Sequence, residues 1–109
     1  MTMTPRQKMY DIYQNLFNEF QNTNQCCLLE IEKTPRNELI INFLHYHNRY
    51  KTNNKLLQIF EVKPESHERM QNYIIAVMRG QILVKKGAWS NEWITTIGNR
   101  NYWTPKWNI

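Results

Sequence analysis

Apolar residues recur at helical spacing near the start of the chain. Met9, Ile12, Tyr13, Leu16, Phe17 and Phe20 fall on one stripe, which predicts a helix over residues 5–22. Thr4-Pro5-Arg6-Gln7 supplies its start: Thr4 can cap, Pro5 suits the first helical position and Gln7 completes a capping box. Asn22-Thr23-Asn24 ends it. The period then changes to two. Leu29 and Ile31 lie on one side and Glu30 and Glu32 on the other, which predicts a half-buried strand over 26–33.

Thr34-Pro35-Arg36-Asn37 echoes the opening motif and reads in two ways. As a cap it begins a helix over 38–47. As a turn, with Pro35 at the second position, it leads into a strand. The run from Leu39 to Tyr46 is apolar nearly all round, rich in Ile, Phe and Tyr, and contains no Ala, so strand is favoured. A turn at 51–54 and a third strand over 55–63 follow. Pro64 stops that strand, and Glu65 and Glu68 suit a helix N-terminus. Met70, Tyr73, Ile74, Val77 and Met78 form a second helical stripe, with Arg79 in the last turn and Gly80 at the C-cap. A short strand is expected over 81–85, a turn at Lys86-Gly87, and a final hairpin around Gly98-Asn99. The predicted fold is α+β and a single domain over 1–109. Its order is helix, three-stranded antiparallel meander, helix, strand and C-terminal hairpin, with the helices on one face of the sheet.

Composition changes this picture modestly. A chain of 109 residues can bury a core without disulfides or a structural metal. Cys26 and Cys27 are adjacent, so they alternate faces on a strand and are poorly placed to bond each other; they read as small apolar side chains. No apolar run is long enough to span a bilayer, and the first residues lack signal-peptide character, so a cytoplasmic protein without a membrane partner is expected. Three glycines form no phosphate-binding loop. No Ser or Cys nucleophile motif and no helix-turn-helix pattern occurs. The net charge of +5 favours polyanionic partners.

The C-terminal stretch has its own character. Trp89, Trp93, Tyr102, Trp103 and Trp107 interleave with Lys85, Lys86, Arg100 and Lys106, opposed only by Glu92. Aromatic faces stack bases and cations hold phosphates, so Lys85, Lys86, Arg100, Trp103, Lys106 and Trp107 are candidate nucleic-acid contacts. The plainer reading puts Trp89 and Trp93 in the core. His45-Tyr46-His47 sets two imidazoles on one strand face, a spacing that can chelate a metal or supply a base; ordinary partly exposed histidines are the simpler reading.

Glu61-Val62-Lys63 closes the third predicted strand and leads into a helix carrying Gln71. On these residues, and on the order helix, three strands, helix, strand, the chain resembles the PD-(D/E)xK nucleases. The resemblance implies a metal-dependent nuclease. Glu61 would be a ligand to Mg²⁺ or Mn²⁺, Lys63 would position the attacking water, and Gln71 would support them from the helix. Alternate strand residues share a face, so Glu61 and Lys63 would project together. The chain departs from the pattern at the second strand, where the family has an acid. Asp11, in the first helix, is the only Asp, and Glu38, Glu30 or Glu19 would have to complete the site. The order of the first elements also resembles double-stranded RNA-binding domains. Their second helix opens with a basic cluster, whereas this one opens Pro64-Glu65-Ser66-His67-Glu68.

Three functions therefore stand as expectations. The leading one is a small nucleic-acid-associated protein that needs no cofactor and binds DNA or RNA through its Lys- and Trp-rich C-terminal surface. The second is the nuclease. The third is a regulator or inhibitor of the phage or mobile-element type that binds a protein partner through a Trp patch.

Overall fold

Thr4 and Gln7 close the start of helix α1 (Pro5–Asn22) in the computed structural model, which describes residues 3–85. Thr4 Oγ1 accepts from the Gln7 N–H at 3.1 Å, and Gln7 Oε1 accepts from the Thr4 N–H at 3.0 Å. The capping box so formed satisfies two amides that a helix start leaves open. Met9, Ile12 and Leu16 are buried, as the stripe requires, while Phe17 at its edge is exposed. Beyond α1, the Thr23 hydroxyl donates to the Met78 carbonyl, fastening the end of one helix to the end of the other.

Strands β1 (Cys27–Lys33), β2 (Leu39–Tyr46) and β3 (Asn54–Phe60) form an antiparallel sheet in the order β1-β2-β3. The register aligns Ile31 with Ile41 and Ile59, and Leu29 with Phe43 and Leu57, in rows on the inner face. Thr34-Pro35 is a turn, not a cap: the Asn37 N–H donates to the Thr34 carbonyl, and Asn37 takes a left-handed φ of 65° that Asn tolerates. The 39–46 run is a strand because it lies in the middle of the sheet. There it is hydrogen-bonded to β1 along one edge and to β3 along the other, and Leu39 to Phe43 are all buried. Cys26 is exposed and Cys27 half-buried, both as free thiols, and burial pushes the Cys27 thiol up from its ordinary pKa.

After a short 3₁₀ turn at Pro64–Ser66 comes α2 (His67–Met78), with Met70, Ile74, Val77 and Met78 buried. Its end is a Schellman cap. The Gly80 N–H bonds the Val77 carbonyl, the Gln81 N–H bonds the Ala76 carbonyl, and Gly80 has φ 74°. Both helices lie against the inner face, where Met9, Leu16, Ile41, Phe43, Leu57, Ile59, Ile74 and Val77 share one core. On the outer face a polar ladder crosses the sheet. Gln58 Nε2 donates to Asn42 Oδ1 at 2.8 Å, and Asn42 Nδ2 donates to Glu30 Oε2 at 3.2 Å.

Two expectations are corrected. The third strand stops at Phe60, not at residue 63, so Glu61 and Lys63 do not share a strand face. The Lys63 N–H turns back to the Phe60 carbonyl at 3.0 Å, which breaks the extended run before Pro64. The strand expected over 81–85 is absent. There the amides of Val84 and Lys85 are satisfied by the hydroxyls of Tyr50 and Tyr73 in place of a neighbouring strand. The fold of the described residues is α+β, in the chain order helix, three strands, helix. The Lys86-Gly87 turn and the C-terminal hairpin lie outside the described residues. No helix among the described residues is long and apolar enough to cross a membrane.

Candidate functional site

The sheet has chemistry at both of its ends. At the end where β2 begins, Glu61 accepts two hydrogen bonds from Arg6, from Nε at 3.2 Å and from Nη2 at 2.8 Å. Its Oε1 also accepts from the Leu39 N–H at 2.8 Å. Arg6 Nη2 reaches the Asn37 carbonyl as well. The Arg6 guanidinium holds the Glu61 carboxyl below the usual carboxylate range, with the Leu39 amide adding to it, and Glu61 in turn raises Arg6. Glu61 thus joins the first turn of α1 to the start of β2.

The other residues proposed for a nuclease centre make structural contacts of their own. The Lys63 carbonyl accepts the N–H and hydroxyl of Ser66 and caps the 3₁₀ turn. Gln71 Oε1 accepts from Asn15 Nδ2 at 3.1 Å, linking the two helices at the surface. Glu38 shapes the first hairpin through its backbone, bonded in both directions to Thr34. Glu19 pairs with Arg79 at 2.6 Å. Among the described residues no three His, Cys, Asp or Glu side chains are grouped to hold a metal ion.

At the opposite end of β2, His45 points into the core and is fully buried, whereas His47 lies past the strand in the turn that leads to β3. The two imidazoles therefore do not line one open strand face. Their ring centres are 5.9 Å apart, and each has a different set of partners. His45 Nδ1 is 2.8 Å from the Tyr50 hydroxyl, and His45 Nε2 is 3.0 Å from Gln25 Oε1. Tyr50 oxygen accepts the Val84 N–H at 2.8 Å.

These contacts assign the protons. Gln25 Oε1 can only accept, so His45 Nε2 carries its hydrogen and Nδ1 is left to accept the Tyr50 O–H. Burial lowers the His45 pKa, with His47 adding to it, and burial raises that of Tyr50. Both observations favour a neutral relay that runs from Val84 through Tyr50 and His45 to Gln25. Each buried polar group in it is satisfied, which a network of this kind requires.

The relay backs an open cleft of about 500 Å³ lined by Gln25, His47, Arg49 and residues 80–85. Among the described residues its charged lining is Arg49 and Lys85, and no carboxylate lines it. Lys85 is the one sequence-predicted nucleic-acid contact within the described residues, and it lies on this cleft. Lys86, Arg100, Trp103, Lys106 and Trp107 lie outside them. Sequence reasoning missed Gln25, Arg49 and Tyr50. Arg49 carries a faint signal, a cation next to the 51–54 turn. Gln25, between a helix and a strand, carries none.

Comparison with protein-family models, with curated proteins and with solved structures finds no match for this chain.

Proposed function

We propose that this chain is a small nucleic-acid-associated protein that binds DNA or RNA through a basic surface beginning at the Arg49–Lys85 cleft. One observation carries this reading: Arg49 and Lys85 line a single cleft with no opposing carboxylate among the described residues. The cleft lies where the chain enters the segment with Lys86, Arg100 and Lys106 among four tryptophans. Such a lining attracts phosphates, and the aromatic residues that follow offer stacking faces for bases. Catalysis at Glu61 forms no part of the reading, because Arg6 and the Leu39 amide already engage that carboxylate.

The test is tryptophan fluorescence titrated with single- and double-stranded DNA and RNA at two salt concentrations. Binding should weaken as salt rises. Replacing Arg49 or Lys85 should flatten the log–log slope by about one unit per lost phosphate contact. Trp103→Ala and Trp107→Ala should each weaken binding about 5- to 150-fold, the worth of one stacked base. Unchanged emission with every form at low salt would reject the reading and leave the protein-binding regulator in its place.

A further inference from the structure

We infer that the cleft formed by Gln25, His47, Arg49 and Lys85 is a built seat for a phosphate group, with the Gln25 amide aimed into it by the buried relay. The inference rests on the nucleic-acid reading and adds to it the group bound and the residue that sets the geometry.

His45 Nε2–H donates to Gln25 Oε1, which turns the Gln25 NH₂ away from the imidazole and leaves it as the side chain's donor. That nitrogen stands 3.1 Å from where a Cβ on Gly80 would be, in the wall of the cleft. Glycine at position 80 therefore serves twice: it takes the left-handed φ of the helix cap and leaves room for the amide. At His47, Nδ1 accepts the Arg49 N–H at 3.1 Å, so in the neutral ring the hydrogen sits on Nε2. Arg49 and Lys85 supply further donors with full positive charge. Gln25, His47, Arg49 and Lys85, all with donor groups, thus line a cleft that no carboxylate among the described residues lines.

A ligand that matches several donors and two cations is an anion with several acceptor oxygens, and phosphate fits this description. The volume, about 500 Å³, admits a phosphate together with the sugar and base attached to it. The same group can come from a terminal monoester or from an internal diester of a strand, and the experiment separates these sources.

The experiment uses the full chain and ¹H–¹⁵N spectra, titrated first with inorganic phosphate and with nucleoside 5′-monophosphates. Shifts should concentrate in the amides of residues 80–85 and in the Gln25 side-chain NH₂. Arg49→Ala should weaken binding about 10- to 150-fold, as expected for loss of a charge-assisted contact. Lys85→Ala, at an exposed position that folding does not need, should act in the same direction. Gln25→Leu should weaken binding less. Lys8→Ala, an exposed charge on α1 that does not line the cleft, should leave it unchanged. The His45 ring should show the Nε2–H tautomer. Paired oligonucleotides with a 5′-phosphate and a 5′-hydroxyl then identify the source: a preference for the former indicates a terminal group, and equal binding an internal diester.

Three results would overturn the seat: no perturbation of the cleft by millimolar phosphate or mononucleotide, equal effects of Arg49→Ala and Lys8→Ala, or an Nδ1–H tautomer at His45. Oligonucleotide binding that survives all cleft variants would reject the seat and leave the nucleic-acid reading standing. Phosphate bound in the cleft without any oligonucleotide binding would do the reverse.

Discussion

The two ends of β2 handle polar groups in opposite ways. At the Leu39 end, a carboxylate and a guanidinium meet each other, and the remaining contacts go to the backbone of the first hairpin. The charges are satisfied within the fold and connect a helix to a sheet. At the His45 end, the buried groups are neutral and satisfied in series, while the charged groups stand outside them on an open cleft. The first arrangement orders the chain; the second orders a surface. A motif such as Glu-x-Lys looks reactive in sequence, yet the site whose charge is unmatched among the described residues is the one whose neutral supports read as ordinary core.

The largest effect expected from breaking this pattern is at Phe43, which packs between the two ends and is fully buried. Phe43→Ala should cost about 3–5 kcal/mol in denaturant unfolding and loosen both ends together. Local loss at one end alone would show that the ends are separate units.

Tyr50→Phe comes next. It leaves the Val84 N–H and His45 Nδ1 buried without their partner, at a cost of about 1–3 kcal/mol. The exchange rate of the Val84 amide should rise while that of Leu39 stays unchanged.

The pH dependence should separate the ends further. His45 is held below its ordinary pKa of about 6.5, so its contribution is complete above that value and declines as pH falls through the lower folded value. Glu61 is likewise lowered, from an ordinary carboxylate value of about 4.3. Its contribution holds above that value and is lost only as pH falls through the folded one. On acidification the Val84 amide should therefore lose protection before the Leu39 amide. Glu61→Gln should remove the acid limb at Leu39 and leave the one at Val84. Simultaneous loss would contradict the assignment.

The smallest effect is expected at Gln71, whose hydrogen bond to Asn15 is exposed. Gln71→Ala should change stability by no more than about 0.5 kcal/mol. A larger change would mean that the helix face near the Leu39 end does more than link two surfaces.

Local rules made much of this fold legible in the sequence. The Thr4–Gln7 box and the stripe from Met9 to Phe20 define α1, because capping and amphipathic spacing act within a few residues. Alternation defines β1, and the Thr34-Pro35 turn with its apolar sequel defines β2, because a short apolar run after a turn suits a strand with neighbours at both edges. The Gly80 cap follows from the same short-range logic. Long-range partners decided the rest. Residues 81–85 have a strand-like composition, but a strand exists only where another edge accepts it, and here two tyrosine hydroxyls take the amides. Glu61 became a structural anchor because Arg6, 55 residues earlier, was brought beside it. Gln25 in the cleft wall is oriented by His45, 20 residues later. Hydrogen-bond partners so far apart leave no periodicity in a sequence. Only the packing of helices on the sheet selects which polar groups meet and which are left facing solvent.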